Sequence, residues 1–172
     1  VYVFALSKTE RLLAKNPSSY INASPVFANG VLYLASGSML HAIKAGPRPD
    51  GNWPQWRGPG RLNVSPDTGL LPEWPKDGPP LAWRVDDIGE GVAGVAVAGG
   101  RAYVMGHRGT LEHLTCVEEV TGRPLWSGPL GPAAKEIPTM RYLSQRTPLI
   151  DGDLAYALTA TGHLVCVRAD TG

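Results

Sequence analysis

Three carboxylates, Asp86, Asp87 and Glu90, fall within five residues, and His107 follows one predicted hairpin later. Hard oxygen donors with a single imidazole suit a divalent cation. A cation held there would polarise a carboxyl or phosphoryl ester and lower the pKa of a bound water. Asp86, Asp87, Glu90 and His107 are therefore the candidate metal ligands, and His107 and Asp87 the candidate catalytic groups. The competing reading is plainer and is favoured by residue type: Asp and Glu beside Gly are ordinary solvated turn residues. The chain has no HExxH, CxxC pair, GxSxG or phosphate-cradling glycine loop. Gly89-x-Gly91-x-x-Gly94 spells a dinucleotide-binding pattern, but it opens a strand, so no helix N-terminus would receive a pyrophosphate.

The elements that must position these groups are strands and turns. The 172 residues include 21 Gly and 16 Pro, and only 18% are charged. With little low-complexity sequence, that load means many tight turns between apolar runs, the mark of an all-β domain. A net charge of +1 leaves no electrostatic footprint for nucleic acid. No run is long enough to span a membrane, and Val1 onward shows no leader peptide.

The turns recur in register. Hairpins are predicted around Asn29-Gly30, Gly99-Gly100 and Gly152-Asp153, each followed by a strand carrying Tyr at the same place: Tyr33, Tyr103 and Tyr156. Asn-Gly and Gly-Gly supply the positive φ angles that two-residue hairpins require. A third strand follows each hairpin, at 39–45, 113–119 and 163–169. Leu40, Leu114 and Leu164 correspond there, as do Ala42, Cys116 and Cys166. The two cysteines thus occupy equivalent sites in different repeats, and the expectation is two buried, reduced thiols rather than a disulfide or metal pair. His113 and His163 are also equivalent, which points to a structural hydrogen bond at the turn, whereas His41 is out of register and expected at an edge. A fourth strand carries Trp126 after Thr121-Gly122, and Trp83 after Pro79-Pro80. Four antiparallel strands in 40–50 residues is the arithmetic of a β-propeller blade.

These residues resemble the repeats of the pyrroloquinoline-quinone-like (PQQ-like) propeller family, which includes quinoprotein dehydrogenases and an outer-membrane assembly lipoprotein. The resemblance covers most of 1–46 and 81–172. Asn52-Trp53-Pro54-Gln55-Trp56-Arg57-Gly58-Pro59, with Ser65-Pro66-Asp67-Thr68-Gly69-Leu70 and Trp83 beyond it, is similar to the mature start of PQQ-like proteins from planctomycete-type bacteria. In those proteins this segment comes first. Here it sits in the middle, as though the chain were permuted. The resemblance implies an extracytoplasmic location. It does not imply PQQ: the dehydrogenases have eight blades, a calcium site, a catalytic Asp and often adjacent cysteines, and this chain has no adjacent pair.

The fold expected is all-β, a partial propeller of about three four-stranded antiparallel blades. Residues 1–21 read as a partial blade, 22–46 plus 81–86 as a blade, 47–80 as a Pro/Gly-rich insertion, 87–128 as a blade and 129–172 as a partial blade. Trp53, Trp56 and Trp74 in the insertion are expected to pack across blades. Thirteen strands fall short of the four blades a propeller needs to close. Homo-oligomerisation would close it, with a homodimer expected and a trimer as alternative. The function expected is a non-catalytic binding or scaffold module presenting its loop face. The alternative is a metal-dependent hydrolase of esters or phosphoesters, whose only cofactor would be a divalent metal ion, and a PQQ or nucleotide oxidoreductase ranks last.

Overall fold

The structure is a computed structural model that describes residues 2–5, 11–15, 26–44, 51–65, 67, 76, 78, 80–134 and 144–172. The side chains of 2–5, 11–15, Phe27, Ser36 and Lys44 lie outside that description, as does Trp74. Among the described residues there is no helix, and thirteen strands fall into four antiparallel sheets. Strands β1 (Tyr2–Ala5) and β2 (Arg11–Lys15) form a pair. Strands β3 (Val26–Ala28), β4 (Val31–Ser36), β5 (Met39–Lys44) and β6 (Leu81–Val85) form one complete blade in chain order. A second complete blade contains β7 (Ala96–Ala98), β8 (Arg101–Arg108), β9 (Leu111–Glu118) and β10 (Pro124–Pro132). The last sheet contains β11 (Leu149–Asp151), β12 (Leu154–Leu158) and β13 (Leu164–Arg168).

The repeat register is a pairing register. Tyr33 faces Ala42, Tyr103 faces Cys116 and Tyr156 faces Cys166 across neighbouring strands. At the tips of the two complete blades, Asn29-Gly30 and Gly99-Gly100 hold φ between 53° and 72°. Those values suit two-residue hairpins and cost glycine little.

Blades stack through one repeated joint. The outer-strand Trp83 donates its indole N–H to Glu119 O at 2.9 Å, and Trp126 does the same to Ala169 O at 3.1 Å. Each ring lies on the turn glycine of the next blade. A Cβ at Gly122 would sit 2.6 Å from Trp83, and one at Gly172 would sit 2.6 Å from Trp126. Both glycines have positive φ, 73° and 78°. The Thr-Gly turn is thus glycine for two reasons, backbone conformation and the approach of an indole. The repeat tyrosines tilt against the same indoles, with ring centroids 6.0 and 6.2 Å apart. Tyr33 Oη donates to Glu119 Oε1, and Tyr103 Oη to Ala169 O.

These joints enclose two apolar layers. Val26, Tyr33, Ala42 and Trp83 of the first blade pack on Val95, Ala102, Val104 and Val117 of the second. Tyr103, Leu114 and Cys116 in turn pack on Ile150, Ala155 and Ala157 of the last sheet. Burial there pushes the Cys116 thiol up to about 12 and the Tyr103 phenol up to about 12.

Two expectations are corrected. Both cysteines are free and lie in different sheets, but only Cys116 is buried and Cys166 is exposed. The last sheet turns its Tyr156–Cys166 face outward, with no described sheet against it, so equivalent register does not bring equivalent burial. His41 is not at an edge. It lies on the interior strand β5 opposite Leu34 and Arg84 and is half-buried. Desolvation, then the nearby Arg84 charge, lowers its pKa.

Candidate functional site

The carboxylate segment is a strap that crosses from the first blade to the last sheet. Ile88 N–H donates to Ser38 O, Glu90 and His107 exchange two backbone hydrogen bonds of 2.9 and 2.8 Å, and Val92 N–H donates to Ser144 O. One extended run therefore stitches together the loop ends of three sheets. Its glycines are fixed by closeness of backbone. A Cβ at Gly89 would meet Gly106 C at 2.9 Å, and one at Gly91 would meet Ser144 O at 2.9 Å. One at Gly94 would lie 2.4 Å from Thr147 Oγ1. The dinucleotide-like spacing is a packing motif.

The strap also governs the four polar candidates. Asp86 is exposed and pairs with Arg84 at 3.0 Å. Asp87 holds φ 61°, and its carboxylate lies 3.6 Å from Arg108 Nε. Arg108 also donates to Asp87 O and to Ser127 Oγ, pinning the bend to β10. His107 Nδ1 is 2.9 Å from Glu90 O, so the imidazole meets the Glu90 backbone rather than its carboxylate. The backbone brings Glu90 and His107 together, while Asp86 and Asp87 are each taken by an arginine. Among the described residues no three His, Cys, Asp or Glu side chains converge to hold a metal ion. Close spacing in sequence does not bring these carboxylates together here, because the chain bends at Asp87 and each of the two aspartates is paired with a different arginine.

His113 and His163 both bond at the start of the third strand, Nδ1 to Leu111 O at 3.3 Å and to Thr161 Oγ1 at 2.9 Å. The buried Glu112 accepts from Ser144 Oγ at 2.7 Å and from Ala160 N–H at 2.6 Å, tying the second blade to the last sheet.

A second place was less legible from sequence. Trp53 is buried and pairs with the innermost strand β7: its N–H donates to Val97 O at 2.7 Å and its carbonyl accepts from Val97 N–H at 2.9 Å. Pro54 O accepts from Ile150 N–H of another innermost strand, β11, at 2.8 Å. The segment thus lies across the inner edges of two sheets, covering edges that would otherwise be open. Beyond it the loop folds on itself. Gly58 and Arg61 N–H groups donate to Gln55 and Gly58 carbonyls, Asn63 N–H donates to Arg57 O, and Arg61 Nε donates to Gln55 Oε1 at 3.1 Å. Three non-glycine residues there, Arg57, Arg61 and Asn63, hold positive φ of 65°, 54° and 59°. Such backbone is uncommon and concentrates at functional loops. Across-blade packing describes Trp53, but Trp56 is 61% exposed, with the Arg57 guanidinium 5.3 Å from its ring centroid. Between loop and blades lies a cleft of about 200 Å³ lined by Val26, Trp53, Trp56, Arg57, Asn63 and Thr147. The sequence signal was two arginines with no acidic residue from 51 to 65.

Comparison with known proteins accords with this architecture. A family model described as outer membrane protein assembly factor BamB, a PQQ-like repeat, matches residues 74–172. The crystal structure of BamB from Moraxella catarrhalis aligns with a TM-score of 0.58 over 95% of this chain, at 15% sequence identity. This chain spans 39% of that protein's length. No curated protein matches. The family match covers more than half of the residues and falls on the blades whose Tyr, Trp and Gly positions recur in register, so the chain belongs to the BamB-type family of PQQ-like β-propeller repeats.

Proposed function

We propose that this protein is a non-catalytic binding or scaffold module of an extracytoplasmic assembly, working as part of a propeller larger than the blades described. The observation that carries this reading is the outward face of the last sheet. Leu154, Tyr156 and Leu158 of β12 share one face with Leu164 and Cys166 of β13. Leu164 is 72% exposed there. The matching face of the preceding blade is fully covered by the next sheet. Continuity with two existing joints of the same kind argues that a further blade covers this face. A contiguous exposed apolar face of this sort marks an interaction site. We propose that a second copy of the chain supplies the cover in a homodimer, with a trimer as the alternative.

The polar candidates support binding rather than catalysis, since Asp86 and Asp87 are engaged by Arg84 and Arg108 and serve the strap. The hydrolase alternative has no observation of its own. Two measurements test the proposal. In sedimentation velocity at micromolar concentration the protein should run as a dimer, and Leu164→Asp should shift it to monomer. A stable wild-type monomer would overturn the homodimer. Assayed with p-nitrophenyl acetate and bis-p-nitrophenyl phosphate, with and without added zinc or manganese, the protein should show no turnover. Turnover abolished by Asp87→Ala and His107→Ala would establish the hydrolase in its place.

A further inference from the structure

We infer that the loop Gly51–Val64 is a docking site for an acidic polypeptide segment that inserts one large apolar side chain beside Trp56. This rests on the binding-module reading and supplies it with a site and a partner chemistry. The loop is built to stay exposed. Its base is fixed to β7 and β11 through Trp53 and Pro54, and Gly58 lies on the Trp53 ring so closely that a Cβ would come within 2.9 Å. Above that base, hydrogen bonds within the loop and three non-glycine residues in left-handed conformation fix its path. What this backbone presents to solvent is Trp56, Leu62 at 73% exposure and Val64 at 61%. Left-handed backbone at these residues serves no core when the side chains point away from it.

The chemistry of the partner follows from charge and shape. Arg57 and Arg61 are exposed, and no Asp or Glu occurs from 51 to 65. Arg61 is anchored through Nε, leaving its terminal nitrogens without a described partner. Two guanidiniums on a fixed frame suit carboxylates, because their paired N–H donors match a carboxylate's two oxygens. The cleft beneath Trp56 is concave, walled by Val26 and Trp53 and rimmed by Asn63 and Thr147. A side chain on a peptide can enter such a cleft, whereas a flat lipid surface would meet only the tip. The complementary ligand is therefore an anionic polypeptide with an apolar anchor, not an anionic membrane.

The test uses the purified protein with a short fluorescein-labelled peptide alternating Glu and Leu. Its Lys/Leu counterpart and vesicles containing phosphatidylglycerol serve as comparisons. The Glu/Leu peptide should raise the anisotropy, with binding weakened by added salt as exposed charge pairs are screened. The double variant Arg57→Glu, Arg61→Glu should weaken it roughly tenfold or more, and Trp56→Ser should do likewise. Leu164→Asp should leave peptide binding unchanged while altering the sedimentation of the assembly, so the two proposals fail separately. All of these positions are exposed, and circular dichroism should confirm that each variant keeps the β-sheet spectrum. Absence of binding to the Glu/Leu peptide would overturn the inference. So would equal binding of the Lys/Leu peptide, or vesicle binding without peptide binding.

Discussion

Leu114 and Leu164 occupy the same place in successive repeats, yet one is completely buried and the other is 72% exposed. The same contrast separates Cys116 from Cys166. Sequence register sets which face of a strand a residue joins, and only the neighbouring blade decides whether that face is dry. A closed joint in this chain has three parts: an indole over a turn glycine, a tilted tyrosine, and a layer of small β-branched or alanine side chains from the next sheet. At the last sheet the tyrosine and the sheet's own apolar face are present, and no covering sheet is described.

That contrast can be broken at several points. Leu114→Ala should cost on the order of 3 kcal/mol in urea unfolding, because it empties a fully buried site. Leu164→Ala should change the stability of an isolated monomer by less than about 0.5 kcal/mol. A loss comparable to that of Leu114→Ala would show that the outer face is covered in solution.

The indole joint gives the next effect. Gly122→Ala should destabilise by about 2–4 kcal/mol, combining the clash with Trp83 and a left-handed backbone. Gly99→Ala is the matched control, because its φ is also positive at 58° but nothing lies within 4 Å of its Cβ. It should cost only about 1–2 kcal/mol, the backbone part alone. Equal losses in the two variants would remove the stacking contribution.

Thiol chemistry sharpens the comparison without a mutation. Cys116 is buried, with its thiol pushed up to about 12, so it should resist iodoacetamide at pH 8 in the native protein. Cys166 should be alkylated in the monomer and protected once the face is covered. Mass spectrometry after native and denatured labelling reads both sites.

The smallest effect concerns pH. Desolvation lowers the His41 pKa from 6.5 in the folded state, so the unfolded chain binds the proton more readily. Stability therefore rises with pH in this window: His41 contributes fully above 6.5, and the contribution is lost as pH falls through its lowered folded value. His41→Gln should flatten that part of the pH–stability curve measured by urea denaturation between pH 7.5 and pH 5, to a degree modest for a half-buried group.

Much of this fold was legible because its code is local. Asn29-Gly30 and Gly99-Gly100 announce hairpins within four residues, and the Tyr and Leu positions follow from the two-residue period of a strand. The less legible parts depend on contacts between distant segments. Nothing near Trp53 says that its backbone will meet Val97, or that Pro54 will meet Ile150. Among the described residues the candidate carboxylates do not gather at one point, for a related reason. Asp86 and Asp87 are close in sequence, but Arg84 and Arg108 compete for them, and only the path of the strap reveals that competition. His41, read as edge-exposed from its shifted register, is half-buried because it lies between Leu34 of β4 and Arg84 of the expected outer strand β6.

The Trp53–Pro54 segment also orders events in time. Its two backbone partners lie at Val97 and Ile150, far downstream. Ribosomal synthesis delivers them in that sequence, at about 5–20 residues per second. It follows that the segment emerges seconds before the strand edges it will cover, and that its pairing cannot be complete until Ile150 has been made. A hairpin such as β3–β4 can close as soon as its own residues appear, whereas the central stitch must wait for the final sheet.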